Sequence, residues 1–415
     1  MKETLNVVEL FAGVGGFRLG LEKADAKVFN TVWANQWEPS RKAQEAFDCY
    51  RANFGGEPSN KDIATVSNEL FSELNIDLLV GGFPCQDYSV ARSLSGEKGL
   101  EGKKGVLFWE IKRVIEHSHP KYVLLENVDR LLKSPSKQRG RDFAVMLATF
   151  RDLQYNVEWR VINAAEYGAA QKRRRVFIFA YKNQLDFARA QTELAGKEIV
   201  FKEGFFAKTF PVHDEPYKDR IATCTLPQDI LEISNDFAFG FHTAGIMRGG
   251  KVFTAQTEAK NPTFTPLKNI LIDESMVDER FYLTEAQIEK FAYLRGSKKI
   301  ERTSADGHKY IFSEGGMSPT DELDGPGRTM LTSEGSVNRS THIVEVDGRK
   351  RFLTPVECER LNGFPDNWTA TMPDRMRYFC MGNALVVDMV AKMGDTILQL
   401  DRNEKLSSEQ ITINF

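Results

Sequence analysis

The 415-residue chain has no apolar run that approaches the ~18 residues of a membrane span. Its first residues, MKETLNVVELFAG, also lack the long apolar stretch and small-residue cleavage site of a signal peptide. A membrane protein and a secreted protein are both unexpected, so we predict a cytoplasmic protein.

Cysteine is scarce, and its few positions are scattered. No CxxC pair or His/Cys cluster occurs, so neither a metal site nor a disulfide framework is predicted. The five cysteines are Cys49, Cys85, Cys224, Cys358 and Cys380. Most of them are expected to be reduced and structural, while one could serve chemistry.

The chain also lacks a strong net charge, which is −3 at pH 7. Overall electrostatics therefore gives no sign of a nucleic-acid partner, and only local patches could do so. Basic clusters occur at 133–141, 172–175 and 349–351. Such runs usually form a solvated face.

Short β-type runs alternate with helical patterns up to about residue 181. This alternation predicts an α/β fold with a mostly parallel sheet and helices on both faces. The predicted strands lie at 7–10, 28–35, 76–80, 122–128, 157–164 and 175–181.

The pattern becomes irregular over 182–348, where glycine, threonine, serine and phenylalanine are frequent. We predict a smaller, irregular and partly β-rich domain there. Helical patterns return after residue 349, and the last helix is expected to pack on the first domain. The predicted domains are therefore a discontinuous one (1–181 plus 349–415) and an inserted one (182–348).

Three unusual motifs follow predicted strands: FAGVGG, GFPCQ and LLENV. Ligands of parallel sheets bind beyond the carboxyl ends of the strands, so these motifs indicate one site. The glycines of the first motif allow close approach of a ligand to the backbone, or simply form a tight turn. Trp37 could stack on a purine and Glu38 could hold ribose hydroxyls.

Cys85 has two interpretations. A free cysteine is most often a small buried hydrophobe. However, Pro84 stiffens the backbone before it, and a thiolate at a strand end could attack an electrophilic carbon.

Polar residues beside two other predicted strands are equally open to two interpretations. Glu126 could be a general acid, or a capping or ion-paired glutamate. Arg173 and Arg175 should point the same way, either into an active site or onto a basic surface.

The order FAGVGGFRLG, DLLVGGFPCQDYS, LLENV, QKRRRVF, LTPVECERLNGFP and GNAL resembles the DNA cytosine-5 methyltransferases. The resemblance covers residues 1–181 and 349–415. It implies a Rossmann-like fold for S-adenosylmethionine-dependent methyl transfer, with 182–348 as the target-recognition domain.

The resemblance further implies a set of catalytic residues. Cys85 would attack C6 of a cytosine flipped out of double-stranded DNA. Glu126 would bind the N3 edge, Arg175 with Arg173 would bind the O2 edge, and Asn127 would support the loop. S-adenosyl-L-methionine would be the methyl donor and S-adenosyl-L-homocysteine the product.

A second implied set surrounds the cofactor. Its members are Phe11, Ala12, Gly13, Gly15, Gly16, Gln36, Trp37, Asp62, Ile63, Pro84, Leu107, Asn383 and Ala384. Two positions depart from the family pattern. Gln36 stands where a ribose-binding glutamate is usual, so either Gln36 or Glu38 contacts the ribose, and we favour Gln36. Ala170 replaces a proline before QKRRR.

Three alternatives remain at this stage. A nicotinamide or flavin oxidoreductase would need a full GxGxxG, but Arg18 occupies the third glycine position. A catalytically silent DNA-binding relative would not need Cys85, Glu126 and Arg175, and an RNA-methylating relative is more compact over 182–348. We expect a bacterial, monomeric, nucleoid-associated modification enzyme, with a separately encoded restriction endonuclease as partner.

Overall fold

A computed structural model describes residues 4–83, 107–215, 220–304 and 307–413. Pro84 and Cys85 lie outside these residues. Within the described ranges, no helix is long and apolar enough to cross a membrane.

Nine strands within the described ranges form one mixed sheet in the order β2-β1-β3-β4-β6-β5-β8-β9-β7. They are β1 (Leu5–Leu10), β2 (Phe29–Asn35), β3 (Leu78–Gly82), β4 (Tyr122–Asn127), β5 (Tyr155–Asn163), β6 (Arg174–Lys182), β7 (Ile221–Thr225), β8 (Ala244–Arg248) and β9 (Lys251–Ala255). Two separate hairpins are β10 (Lys298–Thr303) with β11 (Lys309–Glu314), and β12 (Ile343–Val346) with β13 (Arg349–Phe352). All six strands predicted before residue 182 are present.

Parallel pairing is confined to β1–β4, and the other pairs of the large sheet are antiparallel. The predicted α/β fold is confirmed, but its parallel part is a core rather than most of the sheet. The turn over residues 164–173 explains the first antiparallel pair. A parallel connection needs a crossover of about a dozen residues or more.

The helices are α1 (Gly16–Asp25), α2 (Glu45–Phe54), α3 (Asn68–Glu73), α4 (Leu107–Ser118), α5 (Arg141–Asp152), α6 (Asp186–Ala190), α7 (Gly196–Glu198), α8 (Phe205–Thr209), α9 (Ile230–Asp236), α10 (Glu285–Arg295), α11 (Pro355–Leu361), α12 (Asp374–Asn383) and α13 (Val387–Ile413). They cover both faces of the sheet. Helices α4 and α5 bury Ile111 and Phe143 on one face. Helices α1 and α13 bury Leu21 and Val390 on the other.

The last helix was predicted to pack on the first domain, and it packs on α1, the first helix of that domain. A Cβ atom added to Gly20 of α1 would lie 2.6 Å from the Val390 Cβ of α13. Strands β7–β9, from within 182–348, extend the main sheet through pairing of β8 with β5. The bounds of the two domains stay a prediction.

The described parts of the three motifs meet at one edge of the parallel core. Leu10 pairs with Gly81, and Gly82 pairs with Glu126. Because β6 runs antiparallel to β4, its first residues lie at the same edge, where Val176 pairs with Asn127. The carboxyl ends of β1, β3 and β4 therefore share this edge with QKRRR.

Candidate active site

The glycine-rich turn follows β1 and has a backbone that favours glycine. Gly13 and Gly15 have φ values of +56° and +89°, and Phe11 also has a positive φ of +54°. A Cβ at Gly15 would lie 2.2 Å from the Phe54 ring. Close packing and the left-handed backbone thus require glycine at position 15.

Gln36, rather than Glu38, contacts this turn. The Gln36 Oε1 atom accepts a hydrogen bond of 2.7 Å from the Gly13 amide. Glu38 instead lies 3.6 Å from the Arg41 Nε atom. Trp37, between them, is 36% exposed, so one face of its ring is available for stacking.

Several of the other predicted cofactor residues lie within the described ranges. Asp62 caps a short 3-10 turn through the Ala64 amide at 3.0 Å, and Ile63 is buried. Leu107 begins α4. Asn383 and Ala384 end α12, directly before Leu385, which lies 3.1 Å from a Cβ built on Gly16.

Glu126 and Arg175 form the central charged pair. The Arg175 Nε atom lies 2.8 Å from the Glu126 Oε1 atom, and both side chains are largely shielded from solvent. Burial raises the pKa of Glu126, while Arg175 and Arg173 oppose that rise. A carboxyl group with a raised pKa is suited to donate or accept a proton.

Asn127 links the end of β4, next to Glu126, to Phe83, which directly follows β3. Its Nδ2 atom donates to the Phe83 carbonyl at 2.9 Å, and its Oδ1 atom accepts from the Val128 amide at 2.8 Å. The last described residue before Pro84 and Cys85 is therefore tied to the end of β4. The positions of Pro84 and Cys85 themselves lie outside the described residues.

Arg173 is held differently from Arg175. Its guanidinium is buried and donates to the Gly382 carbonyl at 2.8 Å and to the Met330 carbonyl at 3.2 Å. Burial, together with Arg175, lowers its pKa. Arg173 thus joins the start of β6 to two later segments.

Several buried polar residues at this edge were missed from the sequence. Gln171 donates to the Asn362 Oδ1 atom at 3.0 Å and accepts from the Met330 amide at 2.9 Å. Glu9 accepts from the Tyr50 hydroxyl at 3.1 Å and from the Arg18 amide at 3.4 Å. A charged residue within the apolar run VVEL was the available signal for Glu9.

Two segments of 182–348, RGGK (248–251) and SEGSVNRSTH (333–342), contain arginines that would suit DNA groove contacts. In the structure, both guanidinium groups donate hydrogen bonds to backbone carbonyls. Arg248 donates to Leu194 at 2.8 Å, and Arg339 donates to Leu294 at 2.8 Å. These bonds hold both guanidinium groups against the backbone of this chain.

A glycine-rich turn after β1 and an acid–guanidinium pair after β4, on one edge of a sheet with a parallel core, define an α/β enzyme of the nucleotide-cofactor type. The family model for C-5 cytosine-specific DNA methylases matches residues 5–399. The chain belongs to this family. It is a DNA (cytosine-5)-methyltransferase, and its methyl donor is S-adenosyl-L-methionine.

Individual relatives agree with this assignment. The chain is 60% identical over 398 residues to the type II methyltransferase M.Sau3AI of Staphylococcus aureus, covering 96% of each chain. It is 28% identical over 386 residues to M.HhaI of Haemophilus parahaemolyticus, covering 93% of this chain and 92% of that one. The crystal structure of the S. pombe Dnmt2 methyltransferase has the same fold, with a TM-score of 0.58 at 17% identity, covering 95% of this chain and 98% of that one.

Proposed function

We propose that Cys85, Glu126 and Arg175 carry out the chemistry on a cytosine flipped out of double-stranded DNA. The observation that supports this most directly is the shielded Glu126–Arg175 pair, 2.8 Å apart, at the edge where β3 leads towards Cys85. Cytosine C5 is a poor nucleophile, so the ring must first be activated. A flipped base exposes the N3, O2 and C6 positions that these side chains would contact.

In the proposed sequence, the Cys85 thiolate forms a bond to C6 and the ring loses aromaticity. Glu126 places a proton at N3, and Arg175 binds the O2 edge, so that C5 becomes enamine-like. C5 then takes the methyl group, which S-adenosyl-L-methionine supplies, leaving S-adenosyl-L-homocysteine. Loss of the C5 proton expels the thiolate and restores the aromatic ring.

Arg173 and Asn127 are proposed as positioning residues. The Arg173 guanidinium donates to the carbonyls of Met330 and Gly382, so it holds the start of β6 in place. Asn127 links the end of β4 to the end of β3. Neither needs to touch the cytosine to affect the rate.

The cofactor is proposed to lie over the glycine-rich turn. Gln36 supports this because its Oε1 atom bonds the Gly13 amide, so it borders the turn where the ribose would lie. Trp37 would stack on the adenine, and Asp62 with Ile63 would border it. The remaining proposed contacts are Phe11, Ala12, Gly15, Gly16, Pro84, Leu107, Asn383 and Ala384.

We also propose the biological setting. Relatives named type II methyltransferases, together with the coverage of nearly the whole chain, support a modification enzyme of a bacterial restriction system. The enzyme would act as a monomer on the nucleoid, in the cytoplasm, with a separately encoded endonuclease. Residues 182–348 would form its target-recognition domain.

Bisulfite sequencing of a plasmid from methylation-deficient cells that express the chain tests the nucleophile. The wild type should protect cytosines in one short recurring context, and Cys85→Ala should protect none, because the thiolate is required. Cys224→Ala is the control, since Cys224 lies in β7 away from the candidate active site, and it should retain protection. Protection by the Cys85→Ala protein would refute the proposed role.

A further inference from the structure

The hairpin β10–β11 is a two-stranded ribbon with unusual exposure. Six residue pairs join its strands, from Lys298 with Glu314 to Thr303 with Lys309. No third strand pairs with it within the described ranges, and most residues on both faces are exposed. A two-stranded hairpin alone is at best marginally stable in water. Binding to a partner would therefore stabilise this ribbon.

The ribbon is basic along its strands. Its four cations are Lys298, Lys299, Arg302 and Lys309, and its two carboxylates are Glu301 and Glu314. Lys309 lies 3.2 Å from Glu301, and Lys298 lies 3.8 Å from Glu314. Lys299 and Arg302 are left without a carboxylate among the described residues, which favours an anionic partner.

Arg302 differs from the other arginines of 182–348. In the part of the chain that the structure describes, it has no hydrogen-bond or ion-pair partner, and its guanidinium lies 3.9 Å over the Phe312 ring. Each of the others donates to an oxygen of this chain: Arg189, Arg220, Arg248, Arg280, Arg295, Arg328 and Arg339. Arg302 therefore has its donors available and its plane oriented by stacking.

We propose that β10–β11 enters the major groove of the DNA target and that Arg302 binds the O6 and N7 atoms of a guanine in the recognised sequence. The major groove admits a two-stranded ribbon, and a bidentate arginine–guanine pair is its commonest specific contact. Tyr310 pairs directly opposite Arg302 and is 42% exposed, so it lies beside Arg302 on the same face of the ribbon. Lys299 projects from the opposite face of the ribbon and contacts phosphate.

The ribbon is connected to the candidate active site through Arg339. Its guanidinium donates to the carbonyls of Leu294, at the end of α10, and of Gly315, directly after β11. The segment that contains Arg339 begins after Met330, whose backbone is bonded by Gln171 and Arg173. Arg339 thus ties the two ends of the ribbon to the segment that follows Met330.

The test measures sequence context, and it rests on the proposed role of 182–348 in target recognition. Full-length wild type, Arg302→Ala, Arg302→Lys and Lys299→Ala proteins methylate a duplex library with random bases around one cytosine, which is then bisulfite sequenced. In Arg302→Ala, discrimination at one guanine should fall roughly 10- to 100-fold, with other positions unchanged. Arg302→Lys should recover only part of it, because lysine lacks the planar fork.

The control is Lys299→Ala, which should slow methylation of all sequences equally and keep the wild-type context. Thermal unfolding identifies any variant that fails to fold. An Arg302→Ala protein that folds and keeps the full context, whatever its rate, would overturn the proposal. Loss of methylation by the wild type itself would instead indicate that the proposed function is wrong.

A second measurement needs only the wild type. Each guanine of the recognised sequence is replaced in turn by 7-deazaguanine, which lacks the N7 acceptor. One replacement should reduce the rate by about tenfold or more, and Arg302→Ala should be insensitive to the same replacement. A recognised sequence without guanine, or one that tolerates every replacement, would exclude the assigned contact.

Discussion

At the residue scale, Glu126 is a carboxylate that ends an otherwise apolar strand. It is shielded, pairs with Arg175 at 2.8 Å, and has a pKa raised by burial. Such a group is costly to bury unless it is paired or used, and here it is paired with Arg175. These properties support the proposal that Glu126 carries the acid–base chemistry.

Glu126→Gln should therefore lower the single-turnover methylation rate by on the order of 10²-fold, the usual size of general acid–base catalysis. Glutamine keeps the shape but cannot deliver a proton to N3. Glu116→Gln is the matched control, since Glu116 pairs with Lys112 on α4, and its rate should equal the wild type. A loss below threefold in Glu126→Gln would make Glu126 a structural residue.

Glu9 is the second acidic residue with an unusual environment. It is fully buried beneath the glycine-rich turn, and burial raises its pKa to about 7. The folded state thus binds a proton that the unfolded state releases near pH 4.5. Stability from this group is complete below about pH 4.5 and is lost as the pH rises towards 7, at about 1.4 kcal/mol per pKa unit.

Glu9→Gln should remove this pH dependence. From pH 4.5 to pH 8, the free energy of unfolding of the variant should rise by about 3 kcal/mol relative to that of the wild type, because only the wild type loses stability as Glu9 ionises. Urea unfolding of both proteins across this range measures the difference. A difference that does not change with pH would mean that Glu9 titrates normally.

At the element scale, the sequence predicted every strand of the parallel core and the alternation of these strands with helices. The alternation of apolar runs with helical periodicity is a local property of the sequence, so it can be recognised without knowledge of the tertiary structure. The antiparallel pairing of β5 and β6 could also have been predicted from the sequence, because the connection over residues 164–173 is too short for a parallel crossover. The hydrogen bonds of Arg248 and Arg339 were not predictable, because their carbonyl partners lie 54 and 45 residues away.

The arrangement of the proposed catalytic residues likewise depends on contacts between distant parts of the chain. The spacing of Glu126 and Arg175 along the chain gives no distance between them, and only the antiparallel register of β4 and β6 brings them together. The difference between Arg173 and Arg175 also depends on long-range contacts. Met330 and Gly382 supply the carbonyls that engage Arg173, and they come from other parts of the chain.

Packing of the first helix on the last can be tested at Gly20. An added methyl group would lie 2.6 Å from the Val390 Cβ and 2.9 Å from the Val387 carbonyl oxygen. Gly20→Ala should lower the free energy of unfolding by about 1–3 kcal/mol, despite the better helix propensity of alanine. Gly240→Ala, with no atom within 4 Å of the new Cβ, should be near neutral, and equal effects in both would contradict this packing.

At the scale of the whole molecule, a protein of net charge −3 has to bind a polyanion. A negative net charge cannot attract DNA to the protein as a whole, so DNA binding depends on where the cationic side chains lie. Lys299 and Arg302 on the β10–β11 ribbon lack carboxylate partners among the described residues. The cations are thus available locally while the acidic residues elsewhere balance the total.

The affinity for DNA should consequently fall steeply with salt, since each phosphate contact releases counterions. A plot of log Kd against log salt, from fluorescence anisotropy of a labelled duplex, should have a slope with a magnitude of about 4, as expected for four to five phosphates. Lys299→Ala should reduce that magnitude by about one, because it removes one phosphate contact. Arg302→Ala should leave the slope unchanged, because its proposed partner is a base. If the wild-type slope were near zero, the duplex would not be bound through its backbone, and the proposed arrangement of ribbon and active site around DNA would be wrong.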